Sequence, residues 1–508
     1  MTLDLKALRK QGKTLKRNAQ AGEADALARM AQATGRHDIT PTHSAALLTL
    51  AREAGFASWP KLVFSAQMQG LTRADRAEAL KRALFLGQGW RIDTLLGAEP
   101  DLASDTLGLL IATYQVDEVA RRLSTAPELV HQPIGPRRPI LHLTFSQFFK
   151  HAPDTRGDMM EMAKLLLRYG ADVNDGVPHA PGAEHHLSAL YGALGHAGNL
   201  PLAEWLLDKS ADPNDNESLY HACELGHAAG LRLLGRYGVK TGGTNALSRI
   251  LDFDDLEGLD VLLGLGADPD ETYLSHPSGE YVARTPALHQ AARRGRGAAH
   301  AQRLLAAGAQ ATRVWEGHTP YALARIYGND AFADALKAAG HATPLSEVEE
   351  VLATCARGQI PPRRITVAEQ TGNEKMDEVA LLLCRLATQP GRAAHLEALV
   401  AAGLDPNRPE EQGMPPLHLA VWEGLAENTA YLVGLSPDFA HENDYGGNAL
   451  GTCVHGAEHC PSKGRQHVAC AAMLVAAGAT CPRSYLDETG SEDMAAFLED
   501  HPEALTDT

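Results

Sequence analysis

The sequence predicts an all-α repeat fold, a stack of near-identical helical units, and three observations predict it. One short pattern closes nine segments: an apolar helical stretch, then Gly or Ser, a small residue, and an acid or turn residue. Its Gly or Ser falls at 170, 210, 238, 266, 308, 340, 403, 436 and 478, so the intervals of 40, 28, 28, 42, 32, 63, 33 and 42 scatter about a period near 33. Upstream of most of these closings lies a second helical stretch with its own start signal. A fixed period of this length marks stacked supersecondary units, and it places function on the surface the stack presents rather than in a closed pocket.

The closings read LLLRYGADVN (165–174), WLLDKSADPN (205–214), RLLGRYGVK (232–240), VLLGLGADPD (261–270), RLLAAGAQAT (303–312), ALKAAGHAT (335–343), ALVAAGLDPN (398–407), YLVGLSPDFA (431–440) and MLVAAGATCP (473–482). Gly at the helix end supplies the positive φ that stops the helix, and the Asp, Pro and Asn that follow favour a turn. The openings are clearest in GMPPLHLAVWEGL (413–425), RTPALHQAARRG (284–295), GHTPYALARIYG (317–328), LSALYGALGHAG (187–198) and RPILHLTF (138–145). Pro is tolerated at a first helical position because its missing N–H would be unpaired anyway. His142, His289 and His418 follow Leu there, placed to bond backbone locally at the helix entrance. Helices of about ten residues are marginal alone, so each unit depends on its neighbours.

These openings and closings resemble the ankyrin repeat, with its T-P-L-H-x-A-A-x-x-G start and L-L-x-x-G-A-D-x-N end, over roughly residues 72–505. The resemblance implies L-shaped units of two antiparallel helices and a projecting β-turn finger, stacked into a curved solenoid of about eleven or twelve units. It also implies binding of other macromolecules through the fingers and the concave helix face, and the role expected here is a non-enzymatic one that engages partner proteins.

The expected organisation is a helical cap or leader over 1–71, a repeat array over 72–343, irregular helical repeats and a hinge candidate over 344–392, and repeats with a C-terminal cap over 393–508. In the leader, Phe56, Trp59 and Leu62 are placed to pack. Units closing at 238 and 266 leave little room for a finger, whereas insertions fall at about 146–157, 175–187, 271–284 and 456–467. The 63-residue interval before 403 is read as two degenerate units.

A formal net charge of −17 disfavours nucleic acid as the main partner, because phosphate affinity comes from clustered Lys and Arg. It hints at a basic partner protein, since complementary charge raises on-rate and selectivity. Seven scattered cysteines show no disulfide framework and read as reduced, mostly buried thiols. The first twenty residues are basic but lack an apolar core of signal length, and no run of 18 apolar residues occurs. The expectation is a cytoplasmic, monomeric protein without membrane association or cofactor; secretion without a signal is the alternative compartment.

Candidate partner contacts are the scarce aromatics, 5% of the chain. Trp315 and Tyr445 lie where the resemblance implies finger tips, Tyr273 and Tyr281 in an insertion, and Trp422 near the end of a first helix. Exposed aromatics and arginines are the usual anchors of an interface, which adds Arg137 and Arg138 and, in the irregular segment, Arg363 and Arg364.

His455-Gly-Ala-Glu458-His459 matches the H-x-x-E-H spacing of inverted zinc peptidases, which need both histidines on one continuous helix. The repeat register instead puts His455 at a helix end, with Gly456 weakening it and Cys460-Pro461 in a loop. Cys453, His455, His459 and Cys460 are therefore weak metal candidates, with core thiols and a His-bearing loop as the ordinary reading. His179, His185 and His186 are expected in a solvated loop, and the acidic runs 252–255 and 347–350 in solvent near helix starts. No catalytic constellation is assembled by the sequence. The reading is a protein-binding scaffold; the alternatives are a metal or enzymatic protein using 453–470, or a secreted effector binding host proteins.

Overall fold

Nine backbone positions set the fold, and they are the ones the closing pattern marks. In the computed structural model, which describes residues 4–35, 41–272, 285–370, 378–460, 462, 464–489 and 491–506, φ is positive at all nine. It is 98° at Gly170, 71° at Ser210, 76° at Gly238, 89° at Gly266, 92° at Gly308, 84° at Gly340, 107° at Gly403, 53° at Ser436 and 92° at Gly478. At eight of them the next N–H reaches back five residues, as in Ala267 to Leu262 O at 3.1 Å and Ala479 to Leu474 O at 2.9 Å, which satisfies a carbonyl the helix end would orphan. Position 436 is the exception because Pro437 has no N–H to give.

Between these stops the described residues are largely helical. Short first helices alternate with second helices, as in Leu107–Ala112 with Val116–Thr125, Ala287–Arg293 with Ala298–Ala306, and Pro416–Trp422 with Ala426–Gly434. First helices pack on first helices and second on second. Thus Pro416–Trp422 contacts both Leu382–Ala387 and Ala449–His459, while Ala426–Gly434 contacts Ala393–Ala401 and His467–Ala476. Each second helix buries a stripe at helical spacing, for example Leu202, Ala203, Leu206 and Leu207. The described strands are two short pairs: Gly176–Pro178 antiparallel to His186–Ser188, and Cys481–Pro482 parallel to Leu505–Thr506.

Buried asparagines stitch successive repeats together. Asn428 Nδ2 donates to Ala387 O at 3.1 Å and Gln389 O at 2.9 Å, and Asn329 Nδ2 to Ala292 O at 3.2 Å and Arg296 O at 2.9 Å. Asn428→Ala leaves those buried carbonyls unpaired, so a loss of about 2 kcal/mol is expected in urea unfolding.

The chain divides into two compact units, residues 71–324 with 329–343, and residues 1–70 with 325–328 and 344–508. Within the second of these, the 63-residue interval holds one further helix stop among the described residues, Gly358 at φ 70°, ending Glu347–Cys355. That helix packs on Ala393–Ala401. The stretch after it is tied to the closing turn at Gly403, with Ile365 N–H on Ala402 O at 2.6 Å and Gln370 Nε2 on Gly403 O at 2.9 Å.

The leader forms four helices, Leu5–Gln20, Ala24–Thr34, His43–Glu53 and Trp59–Gln69. Trp59 and Leu62 are buried with Leu47 and Ala51, and Phe56 packs against them. These helices contact the last helix of the chain, Glu492–Asp500. His43 Nε2 meets Glu499 Oε2 at 2.6 Å, Arg9 approaches the same carboxylate at 3.6 Å, and Lys16 pairs with Asp500. A basic first helix thus meets an acidic last one.

Candidate functional site

The fingers are tight turns whose geometry follows from their residues. Trp315 and His318 exchange both backbone hydrogen bonds at 2.9 Å, closed by Glu316 at φ 48° and Gly317 at φ 84°, the paired positive values of a two-residue hairpin. Trp315 folds back on the preceding repeat: its ring lies 5.9 Å from His289, with the Arg293 guanidinium 5.3 Å from it. Tyr445 behaves differently. Asn443 Oδ1 accepts from Tyr445 N–H at 3.0 Å and Gly447 N–H at 3.1 Å, and the side chain stands 77% exposed. Tyr273 and Tyr281 lie outside the described residues.

Trp422, Tyr445 and His455 line one cavity of about 570 Å³, together with Met414, Leu419 and Tyr485. Two close approaches at glycine fix the elements around it. A Cβ on Gly456 would fall on the carbonyl oxygen of Trp422 and 3.0 Å from its C and Cα, so only glycine lets helix Ala449–His459 lie this near. The same carbonyl accepts His467 Nε2 at 2.8 Å. On the other wall the Tyr485 ring lies where a Cβ on Gly451 would be, 2.7 Å from Cζ. The Trp422 and His455 rings are 5.4 Å apart. At the rim, Glu423 Oε2 takes Arg465 at 2.9 Å and Ser462 Oγ at 3.2 Å.

One expectation fails here, and one residue of the site went unmarked. His455 is not at a helix end: Ala449–His459 is one unbroken helix, because Gly456 is required by packing and costs less there than any larger residue. Glu458 and His459 therefore share the helix with His455, and the His455 and His459 rings approach to 4.3 Å. Tyr485 was not marked by any pattern in the sequence, although it follows the closing turn at 478 as Tyr445 follows that at 436.

Of the four metal candidates only His455 and His459 come together. Cys453 is fully buried, its Sγ donating to His467 O at 3.3 Å, and burial pushes its thiol well up, whereas His455 and His459 are exposed. Cys460 Sγ lies 3.7 Å from Glu423 Oε2. Among the described residues no group of three or more His, Cys, Asp or Glu is placed to share a metal ion.

The arginine pair divides. Arg138 binds the buried Asp175 at 3.1 Å, while Arg137 lies against Phe85 and Phe145, its Cζ 4.7 and 4.6 Å from the ring centres. Arg363 is paired with Glu369 at 3.0 Å.

His185 is not solvated as expected. The insertion forms the strand pair described above, and His185 Nε2 reaches the buried Glu217 at 2.5 Å. Glu217 also takes His221 Nε2 at 3.1 Å; burial alone would lower His221, but Glu217 and Glu224 carry it up to about 9. Nor are the acidic runs simply solvated. Asp252 answers Arg249 at 3.0 Å and Arg294 at 2.8 Å, and Glu349 is buried, closing a capping box with Ser346. His289 bonds His318 O at 3.1 Å, in the next finger rather than at its own helix entrance.

No protein-family model matches the chain, and no curated protein matches it. Among solved structures, the crystal structure of the human ASB11 ankyrin repeat domain is similar over 50% of this chain and 96% of its own length, at 19% sequence identity and a TM-score of 0.25. Among the described residues no helix is long and apolar enough to cross a membrane.

Proposed function

We propose that the chain is a non-enzymatic, ankyrin-type scaffold that binds a partner protein through the aromatic cavity of its C-terminal repeats. The observation that supports this reading is the convergence of Trp422, Tyr445 and His455 on one open cavity with Tyr485, Met414 and Leu419. Aromatic and sulfur-bearing side chains around a concavity are the composition of interface hot spots. The cavity walls are first-helix and finger residues fixed by repeat stacking, so a partner meets a surface that costs little to order. Tyr445, 77% exposed on its turn, is the one large aromatic ring left in water there.

The test is affinity capture from the native lysate, followed by direct titration of the recovered partner against wild type and a Trp422→Ala/Tyr445→Ala double variant. Two hot-spot aromatics removed together are expected to weaken binding by about a hundredfold or more. Trp315→Ala, in the other unit, is expected to change it less than about threefold. A partner bound equally by the double variant and wild type would sink the cavity assignment.

A further inference from the structure

A second cavity, of about 360 Å³, lies in the unit that begins at residue 71 and combines apolar walls with unbalanced positive charge. Phe85, Leu109 and Phe145 form its walls, and the Ile134–Arg137 turn forms its edge. That turn is pinned from below, since His142 Nε2 bonds Ile134 O at 3.1 Å, and His142 itself fits only because residue 108 is glycine. Arg137 is therefore presented by a fixed backbone.

The charge around it does not balance. Arg137 has no carboxylate partner among the described residues, and its Nε is buried without a hydrogen bond. Burial lowers its pKa and no acid raises it. Arg82 lines the same cavity and makes no ion pair among the described residues, while Lys81 is occupied by Glu78 at 2.6 Å. The cavity thus carries three cations against one carboxylate, in a chain whose net charge is −17. The flanking histidines do not change this. Burial brings His142 down to about 4 and lowers His196, whose ring stacks on Phe85 at 4.0 Å.

A guanidinium partly withdrawn from water, aligned on two rings and lacking an acceptor, is preorganised for a planar anion. A carboxylate offers two oxygens to its donor fork. A strongly hydrated phosphate dianion would instead need several donors, and the walls here are hydrocarbon.

We propose that this cavity binds an apolar carboxylate, its anionic group on Arg137 and its hydrocarbon body against Phe85, Leu109 and Phe145. The volume suits a small-molecule-sized group. Two sources share this chemistry, a free organic acid and the last residue of a polypeptide ending in an apolar side chain.

The test titrates the full chain with N-acetylphenylalanine, its primary amide, 3-phenylpropanoate and inorganic phosphate, followed by ligand-observed NMR. Both carboxylates are expected to bind, with the amide about tenfold weaker or worse. Arg137→Gln, with its melting temperature checked, is expected to weaken the acids about tenfold and leave the amide unchanged. Equal binding of the two acids assigns a free organic acid; preference for the N-acetylated one assigns a chain end. Should Arg137→Gln melt lower, Arg137→Lys keeps the charge without the fork and is expected to weaken the acids about threefold or more. The proposal is overturned if no acid binds, if the amide binds as well as the acid, if phosphate competes as well as either, or if the folded variants bind like wild type.

Discussion

Gly456→Ala is expected to destabilise the C-terminal repeats by about 2 kcal/mol, although alanine is the better helix former. The two effects oppose each other and their sizes decide. Glycine inside a helix costs about 1 kcal/mol relative to alanine, and position 456 is inside Ala449–His459. The new methyl would land on the Trp422 carbonyl, with the Trp422 C and Cα both at 3.0 Å. Those are backbone atoms of a packed first helix and cannot swing aside. Separating the helices forfeits close packing, about 1–3 kcal/mol, and breaks the 2.8 Å bond from His467 to that carbonyl, about another 1 kcal/mol or more once the carbonyl is left buried. The clash wins.

Gly434→Ala is the matched control. It too is a helical glycine, the last residue of Ala426–Gly434, but a Cβ there meets nothing within 4 Å. A gain of up to about 1 kcal/mol is expected. Urea midpoints for both variants, with amide exchange read over 416–476, would check the pair. Equal effects of the same sign would mean that the contact at Trp422 does not control this packing.

What the sequence made legible follows from the range of the interaction involved. The nine helix stops were readable because a positive φ is a local demand, met by Gly or, at 210 and 436, tolerated by Ser. The Trp315 and Tyr445 turns were readable for the same reason. Gly456 was misread because propensity is local, whereas its purpose is the approach of another helix. Tyr485 could not be singled out, since its partner is the backbone at Gly451, more than thirty residues earlier. His289 looked like a local cap, but its acceptor belongs to the following repeat. The contact of the leader with Glu492–Asp500 joins residues more than four hundred positions apart; only the opposite charge of the two segments hinted at it.

Acid is expected to loosen the chain well before its carboxylates titrate, and the buried histidines give the reason. His289 is 0% exposed, His418 1% and His395 4%. Burial brings the first two down to about 4, and burial with the nearby Arg392 brings His395 to about 3. In the unfolded chain each would titrate near its ordinary value of about 6.5. Below that pH the unfolded state binds a proton that the native state refuses, so stability falls as pH falls. It is fully present above about 6.5 and lost progressively toward 4. At pH 5 the loss is about 2 kcal/mol per histidine, several kcal/mol in sum, against a typical domain stability of about 5–15 kcal/mol. His221 works with the opposite sign. Raised to about 9, it stabilises fully below about 6.5 and loses that contribution as pH rises through 9, so it cannot offset the acid loss. Paired carboxylates such as Glu369, held near about 2 by Arg363, add their own loss only below about 4.5. Urea midpoints at pH 7.5, 6, 5 and 4.5 should therefore decline across a window set by histidine. His289→Gln keeps a donor toward His318 O and should flatten the decline by about 2 kcal/mol at pH 5. A curve unchanged between pH 7.5 and 5 would mean that these imidazoles are hydrated and charged in the folded chain, and one equally steep in the variant would mean that His289 does not set the decline.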